Sequence, residues 1–345
     1  MSAGTSDVAV SGAVPDVAPR RGGMLAGRGS ALAAALIFSA LAVLPPIAIA
    51  IGAPFLVVTA TRIVVFAIAA LSLDLVLGYG AMVSFGHAAF VGLGAYAVAI
   101  LSSHGISDIL VQGVVAVAAS ALFALVTGAI SLRTKGVYFI MITLSFGQML
   151  FFLFVSLEQY GGDDGMMMFD GRNTLPFLNL NDRITFYYVC LACLVLFFWF
   201  CHRLVRSKFG RALAAIRQNE DRLSSIGIRP YTAKLLIFVI AGAGAGLAGA
   251  LSANHTEFVS PALTHWTRSG DLMIVVILGG IGTLTGPVLG TFLFLLLEEF
   301  LPLLLHSIGL DLLSEHWRFV LGPILILIVL FAKTGLYGLI FRRDP

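Results

Sequence analysis

The sequence predicts an all-α, polytopic integral membrane protein with about eight to ten crossings, two of its segments broken or re-entrant, and three observations predict it. Hydrophobic residues fill 59% of the 345 positions, charged residues only 11%, and the mean hydropathy is +0.99. Soluble domains carry about 25% charged residues, so this chain cannot coat a water-exposed surface of its own size. Its apolar runs reach the length of about 20 residues that a helix needs to cross hydrocarbon. A membrane barrel would instead alternate in polarity over segments of about ten residues, and stretches such as Ile184 to Phe200 do not alternate.

Residues 1–29 are rich in Ser, Gly, Pro and Ala, with Arg20, Arg21 and Arg28 towards the end. They read as a disordered cytoplasmic tail before a permease domain at 30–340, and 341–345 as a second short tail. The first apolar run, Ala31–Ile51, contains Pro45 and Pro46. Ala48-Ile49-Ala50 has the small-x-small form of a signal-peptide cleavage site. A retained first helix is the preferred reading, because the basic flank is far from the start and another span follows at once. Further spans are expected at Phe55–Leu77, Ala81–Leu101, Ile109–Leu132, Val137–Leu157, Ile184–His202, Leu235–Leu251 and Trp317–Gly338.

The charges orient these spans. Between Arg203 and Lys234 lie eight basic and two acidic residues, whereas the Glu158–Arg183 loop has five acidic and two basic. Lysine and arginine accumulate on the cytoplasmic side, so both termini are expected inside and the number of crossings even. The region Asp271–Leu305 must then start and end outside, crossing twice or not at all. Its centre, Gly279-Gly280-Ile281-Gly282-Thr283-Leu284-Thr285-Gly286-Pro287, is no place for a regular helix. A second glycine-rich break lies at Gly78-Tyr79-Gly80 and Gly86. Interrupted segments in both halves point to an internal repeat around a transport path.

Several chemistries have no motif here. There is no G-x-x-x-x-G-K-[ST] phosphate loop and no H-E-x-x-H, so no ATPase, metal or cofactor site is expected. A net charge of +3 is too small to suggest nucleic acid. Charge inside the spans is read as Asp74, with Glu298 and Glu299 as further candidates; carriers and pumps usually bury more. Cys190 and Cys193 form a C-x-x-C, but Cys190 and Cys201 stand about 16 Å apart along one helix, and all three cysteines read as small buried apolar residues.

The strongest local signal is Arg206–Ile228. At 100° per residue Phe209, Leu213, Ile216 and Leu223 fall in a stripe about 80° wide, with Arg211, Gln218 and Arg222 opposite. Gly227 and Pro230 are placed to stop the helix. Such a helix either lies on lipid headgroups or couples to a cytosolic partner. Glu220 falls inside the apolar stripe, which suits a protein cleft better than lipid.

The run Asp74-Leu75-Val76-Leu77-Gly78-Tyr79-Gly80-Ala81-Met82-Val83-Ser84-Phe85-Gly86-His87-Ala88-Ala89-Phe90, followed by Gly92 and Gly94-Ala95-Tyr96, resembles the signature segment of LivM-type permeases of branched-chain amino acid ABC transporters. Further pieces follow in that family's order: Lys135-Gly136-Val137-Tyr138-Phe139, Gly161-Gly162 with Asp164-Gly165, Phe209-Gly210-Arg211-Ala212, and Val259-Ser260-Pro261. Tyr160, Asp163, Asp221 and Ser224-Ser225 depart from its pattern. The resemblance implies alternating access in the bacterial inner membrane. It also implies a second related permease subunit, cytoplasmic ATP-binding subunits, a periplasmic solute-binding protein and a small polar solute. Relatives also serve urea, amides and aromatic acids; an ion-coupled carrier is the rival of another class.

Candidate residues follow. Phe209, Gly210, Arg211, Leu213, Ile216, Arg217, Glu220 and Gly227 are the expected coupling set. Ser84, Gly86, His87, Phe90, Gly279, Gly280, Gly282 and Gly286 are candidates for the translocation path. For His87 the competing reading is a packed, hydrogen-bonded histidine; for the glycines it is close helix approach.

Overall fold

The computed structural model describes residues 29–168, 180–225, 227, 229–309, 311–331 and 335–340. The expected tails at 1–29 and 341–345 fall outside these residues, apart from Gly29. The described chain is helical nearly throughout. Among the described residues six helices are long and apolar enough to cross a membrane, and three shorter apolar ones accompany them.

The first helix, α1 (Gly29–Ala50), runs through Pro45 and Pro46. A proline has no N–H for the carbonyl four residues back, so Leu41 and Ala42 lose their helical donors. The neighbouring helix supplies replacements: Tyr187 Oη donates to Leu41 O at 2.6 Å and Tyr188 Oη to Ala42 O at 3.1 Å. Helix α1 therefore continues through the two prolines and docks on α6 through two tyrosines.

Next come α2 (Phe55–Asp74), a π-helical turn (Leu75–Tyr79), α3 (His87–Ser103), α4 (Ile109–Ser131), α5 (Val137–Ser156) and α6 (Arg183–Arg206). Asp108 and Asp182 cap α4 and α6 by accepting from Leu110 N and Thr185 N. The span expected from Ala81 begins only at His87. Residues 80–86 leave the helix, and Ala81 takes a positive φ of 53°. The basic segment holds α7 (Lys208–Gln218) and α8 (Glu220–Ser225), after which α9 (Pro230–Thr256) starts on a proline suited to the first helical turn.

Helices α2 and α9 form the centre. In their spanning windows 72% and 61% of residues are buried, against 22% in α4, which faces outward. The helix α9 gets close to its neighbours because it is made of small residues. A Cβ on Gly246 would run into Ser120 of α4, and Gly94 of α3 abuts the Gly246 backbone. Gly242 likewise meets Ala124 of α4, so the small residues of α9 form a packing surface.

At one end the short strands β1 (Met166–Met167) and β2 (Phe258–Val259) pair antiparallel. Gly165 lies against Val259 O, so the Gly161–Gly165 turn and the Val259-Ser260-Pro261 piece build one substructure. Helix α10 (Trp266–Gly279) and α11 (Gly286–Ser307) follow. Gly279 abuts Gly286 while Gly290 abuts Val275, the pairing of an antiparallel hairpin. The 271–305 region is therefore a helical hairpin with a glycine tip, and its first arm, about 21 Å long, is short for a bilayer core of about 30 Å. The chain closes with α12 (Asp311–Glu315), α13 (Trp317–Phe331) and α14 (Gly335–Ile340).

Candidate functional site

The basic segment is two helices, which corrects the single helix expected at 206–228. Helix α7 is capped by Ser207, whose Oγ accepts from Gly210 N. Asn219 then adopts an extended conformation and caps α8, its Oδ1 accepting from Arg222 N at 2.9 Å. The break follows from Asn219 competing locally for the backbone donor, as Asn does at helix starts. Gly227 has a positive φ of 85°, as a helix-stopping glycine should.

The apolar stripe faces inward. Leu213, Ile216 and Leu223 are buried, and Phe209 packs on the core formed by the spans. Gly210 has no room for a side chain beside the Val205 backbone. The stripe therefore seats the segment on its own chain, while Arg211, Gln218, Asp221 and Arg222 remain exposed. Glu220 has partners within the chain: Lys234 of α9 at 2.9 Å and Lys135 of the α4–α5 turn at 3.3 Å. Burial raises this carboxyl, but the hydrogen bonds and charges of Lys234 and Lys135 outweigh it and hold it below its ordinary value.

Arg217 connects the segment to both glycine breaks. Its Nη1 donates to Gly78 O at 2.6 Å, at the end of the π-helical turn. Asp74, one turn earlier, accepts from Gly282 N at 2.8 Å, and Gly282 is the tip of the α10–α11 hairpin. A Cβ on Gly78 would strike the Asp74 carboxylate and the Gly282 backbone. Arg217 and Asp74 thus close on the same turn, Arg217 through Gly78 O and Asp74 through Gly282 N. A side chain of α7, the end of α2 and the hairpin tip meet within a few ångströms. Gly335 of α14 also lies on Gly280.

The residues expected along a translocation path therefore separate into two places. Gly279, Gly280, Gly282 and Gly286 sit in the hairpin tip beside α7. Ser84, Gly86 and Phe90 line a cavity of about 10 Å³ between α3, α4, α5 and α9, together with Thr127, Thr143 and Phe238. That volume holds about one water, and Ser84 Oγ, buried and without a protein partner, borders it. His87 is absent from this lining. Its Nε2 lies 2.8 Å from Ser72 Oγ, whose own hydrogen goes to Ala69 O at 2.7 Å. With the Ser72 hydroxyl donating to Ala69 O, the network assigns the His87 proton to Nε2.

Sequence reasoning missed Arg62. It lies inside α2, where its Nη2 pairs with Glu298 Oε2 of α11 at 3.0 Å. The signal was a lone cation in the apolar stretch Phe55–Leu73, paired with the Glu298 already noticed.

The family model described as the permease component of branched-chain amino acid transport systems matches residues 55–330. This chain belongs to that family. The match starts at α2 and ends in α13, so it takes in both breaks, the basic segment and the hairpin. The permease is 30% identical over 228 residues to the high-affinity branched-chain amino acid transport system permease protein LivM of Escherichia coli K12, covering 59% of this chain and 52% of that one. It is 27% identical over 157 residues to a probable LivM of Methanocaldococcus jannaschii, covering 44% and 45%. With BraD of Pseudomonas aeruginosa it shares 29% over 134 residues, covering 39% and 41%. The permease thus aligns over about half the length, or less, of these curated relatives. No solved structure matches it.

Proposed function

We propose that the permease is a membrane-spanning subunit of an ABC importer in the bacterial inner membrane. It would carry branched-chain amino acids or a related small polar solute by alternating access. The observation that carries this reading is the Arg217 junction. A helix pair outside the spans is bonded through Arg217 to the break after α2, where Asp74 in turn holds the tip of the α10–α11 hairpin. A displacement of α7 reaches both breaks without passing through flexible loop. The breaks are where spans bend at low cost, because their backbone groups are already held by non-helical partners.

On this reading the end carrying α7 and α8 faces the cytoplasm, with both termini, and the β1–β2 end faces the periplasm. The exposed residues Arg211, Gln218 and Arg222 meet a cytoplasmic ATP-binding subunit. A second related permease subunit completes the membrane core, and a periplasmic binding protein delivers the solute. The chain supplies the path and no ATPase chemistry.

An ion-coupled carrier is the second reading, favoured by the Arg62–Glu298 pair inside the spans. Uptake by proteoliposomes separates the two. The permease assembled with its ATP-binding subunits accumulates leucine only with ATP; accumulation by the permease alone under a proton or sodium gradient overturns the importer reading.

A further inference from the structure

Four charged side chains from three helices gather near the β1–β2 end. Arg62 of α2 pairs with Glu298 of α11 at 3.0 Å, and Arg268 Nη1 of α10 lies 3.6 Å from Asp271 Oδ2. Helices α2, α10 and α11 pack on one another, and the hairpin register that sets Gly290 against Val275 puts Arg268 and Asp271 at the level of Glu298, so the two pairs lie in one region, with Arg318 a further charge bearing on Asp271. They are not sealed in. The Arg62 and Arg268 side chains are each 42% exposed and that of Asp271 34%.

Their depth makes this exposure informative. Arg62 is seven residues into α2, Asp271 five into α10, and Glu298 nine before the end of α11. At 1.5 Å per residue these are about 8–13 Å from the helix ends. Charged side chains within membrane-spanning segments are rare and almost always face the bundle interior, a water-filled cavity or one another. The uncovered side of α10 continues from Asp271 through Ile274, Ile277 and Ile281 to the hairpin tip. That row leads from the charged group to the junction held by Arg217.

We propose that Arg62, Asp271 and Glu298, with Arg268, form a station for a zwitterionic α-amino acid in a water-filled solute path along α10. This assignment deepens the importer reading and rests on it for the direction of transport. The Arg62 guanidinium takes the carboxylate and Asp271 the ammonium. Arg62 has five N–H donors and holds Glu298 through Nη2. Arg268 holds Asp271 loosely, since 3.6 Å exceeds the 2.7–2.9 Å of a charge-assisted bond. A zwitterion adds no net charge to the group, whose two ion pairs are each neutral and to which Arg318 contributes one further positive charge. Ile274 and Ile277, one and two turns along, offer apolar surface to the side chain of the amino acid.

The test is a single cysteine, Ile274→Cys, with Cys190, Cys193 and Cys201 replaced by alanine, in membranes containing the full transporter. A positively charged methanethiosulfonate reagent is expected to label it, and millimolar leucine to slow labelling several-fold. Val114→Cys on the lipid side of α4 is expected to stay unlabelled. Asp271→Asn and Arg62→Gln should each lower leucine uptake about tenfold with ATP-binding subunits still retained. The double variant Arg62→Glu, Glu298→Arg keeps the bridge and should still fail to transport. Absence of labelling in Ile274→Cys, or full uptake by the charge-swapped double variant, overturns the station. Leucine protection without ATP-driven uptake overturns the importer reading and upholds the station, whereas uptake without protection overturns the station alone.

Discussion

Arg217 Nη1 donates to the carbonyl of Gly78 at 2.6 Å, tying α7 to the point where α2 ends. A charge-assisted bond of this kind is worth about 1.5–3 kcal/mol. Arg217→Ala should therefore leave ATP hydrolysis running and lower solute uptake about tenfold or more. Arg217→Lys, with one ammonium in place of a planar fork, should recover only part of it. The measurement is the ratio of solute moved to ATP hydrolysed in proteoliposomes; an unchanged ratio in Arg217→Ala would show that the bond carries no coupling.

Gly78 and Gly113 make a matched pair of alanine tests. At Gly78 a methyl group meets the Asp74 carboxylate and the Gly282 backbone, neither of which has room to give. At Gly113, inside α4, a methyl group meets nothing within 4 Å. Gly78→Ala should destabilise by about 1–3 kcal/mol, the usual cost of overpacking. Gly113→Ala should stabilise by up to about 1 kcal/mol through helix propensity. Thermal unfolding in detergent reads both, and a harmless Gly78→Ala would mean that the junction is looser than its contacts.

Tyr187→Phe removes the donor that Pro45 made necessary. The Leu41 carbonyl is then left unsatisfied, at about 1–3 kcal/mol. The loss should be local, with α1 leaving α6 while the rest of the permease holds. Faster hydrogen exchange confined to α1 is the expected result. Adding Pro45→Ala restores an N–H for Leu41 O and should reverse part of the effect.

The spans were legible because an apolar helix in lipid needs only length and composition. Ile109–Ser131 and Val137–Ser156 fall within a residue or so of the expected ends. The stripe of Phe209, Leu213, Ile216 and Leu223 was legible from its period, but period alone cannot tell which surface covers a stripe. That surface is the chain's own core. The helix break at Asn219 was hidden because its cause, a side chain capping the next turn, is a local competition that periodicity averages away. The glycine runs announced both breaks. That they meet through Asp74, Gly282 and Arg217 is a long-range contact over 208 and 139 residues of separation, and nothing in either run encodes the other. Arg62 escaped because one cation in an apolar run reads as noise until Glu298 stands opposite.

Glu220 and Arg222 now exchange the roles their positions on a single helix would give them. Glu220 is held by Lys234 and Lys135, so its loss should act on the seating of α8 rather than on a partner. The carboxyl is lowered on folding, and a lowered carboxyl stabilises above its unfolded value of 4.5. That contribution disappears as pH falls through the lowered folded value. Glu220→Gln should therefore melt lower than the unaltered permease at pH 7, and the two should converge only once the pH has fallen below the lowered folded value. Because the pairs are partly exposed, about 0.2–1 kcal/mol is at stake, a shift of about 1–3 °C. Arg222→Ala lies on the uncovered side and should leave the melting temperature unchanged while weakening retention of the ATP-binding subunit on tagged permease. Reduced retention in Glu220→Gln with full retention in Arg222→Ala would reverse the assignment and make the buried side of α8 the docking surface.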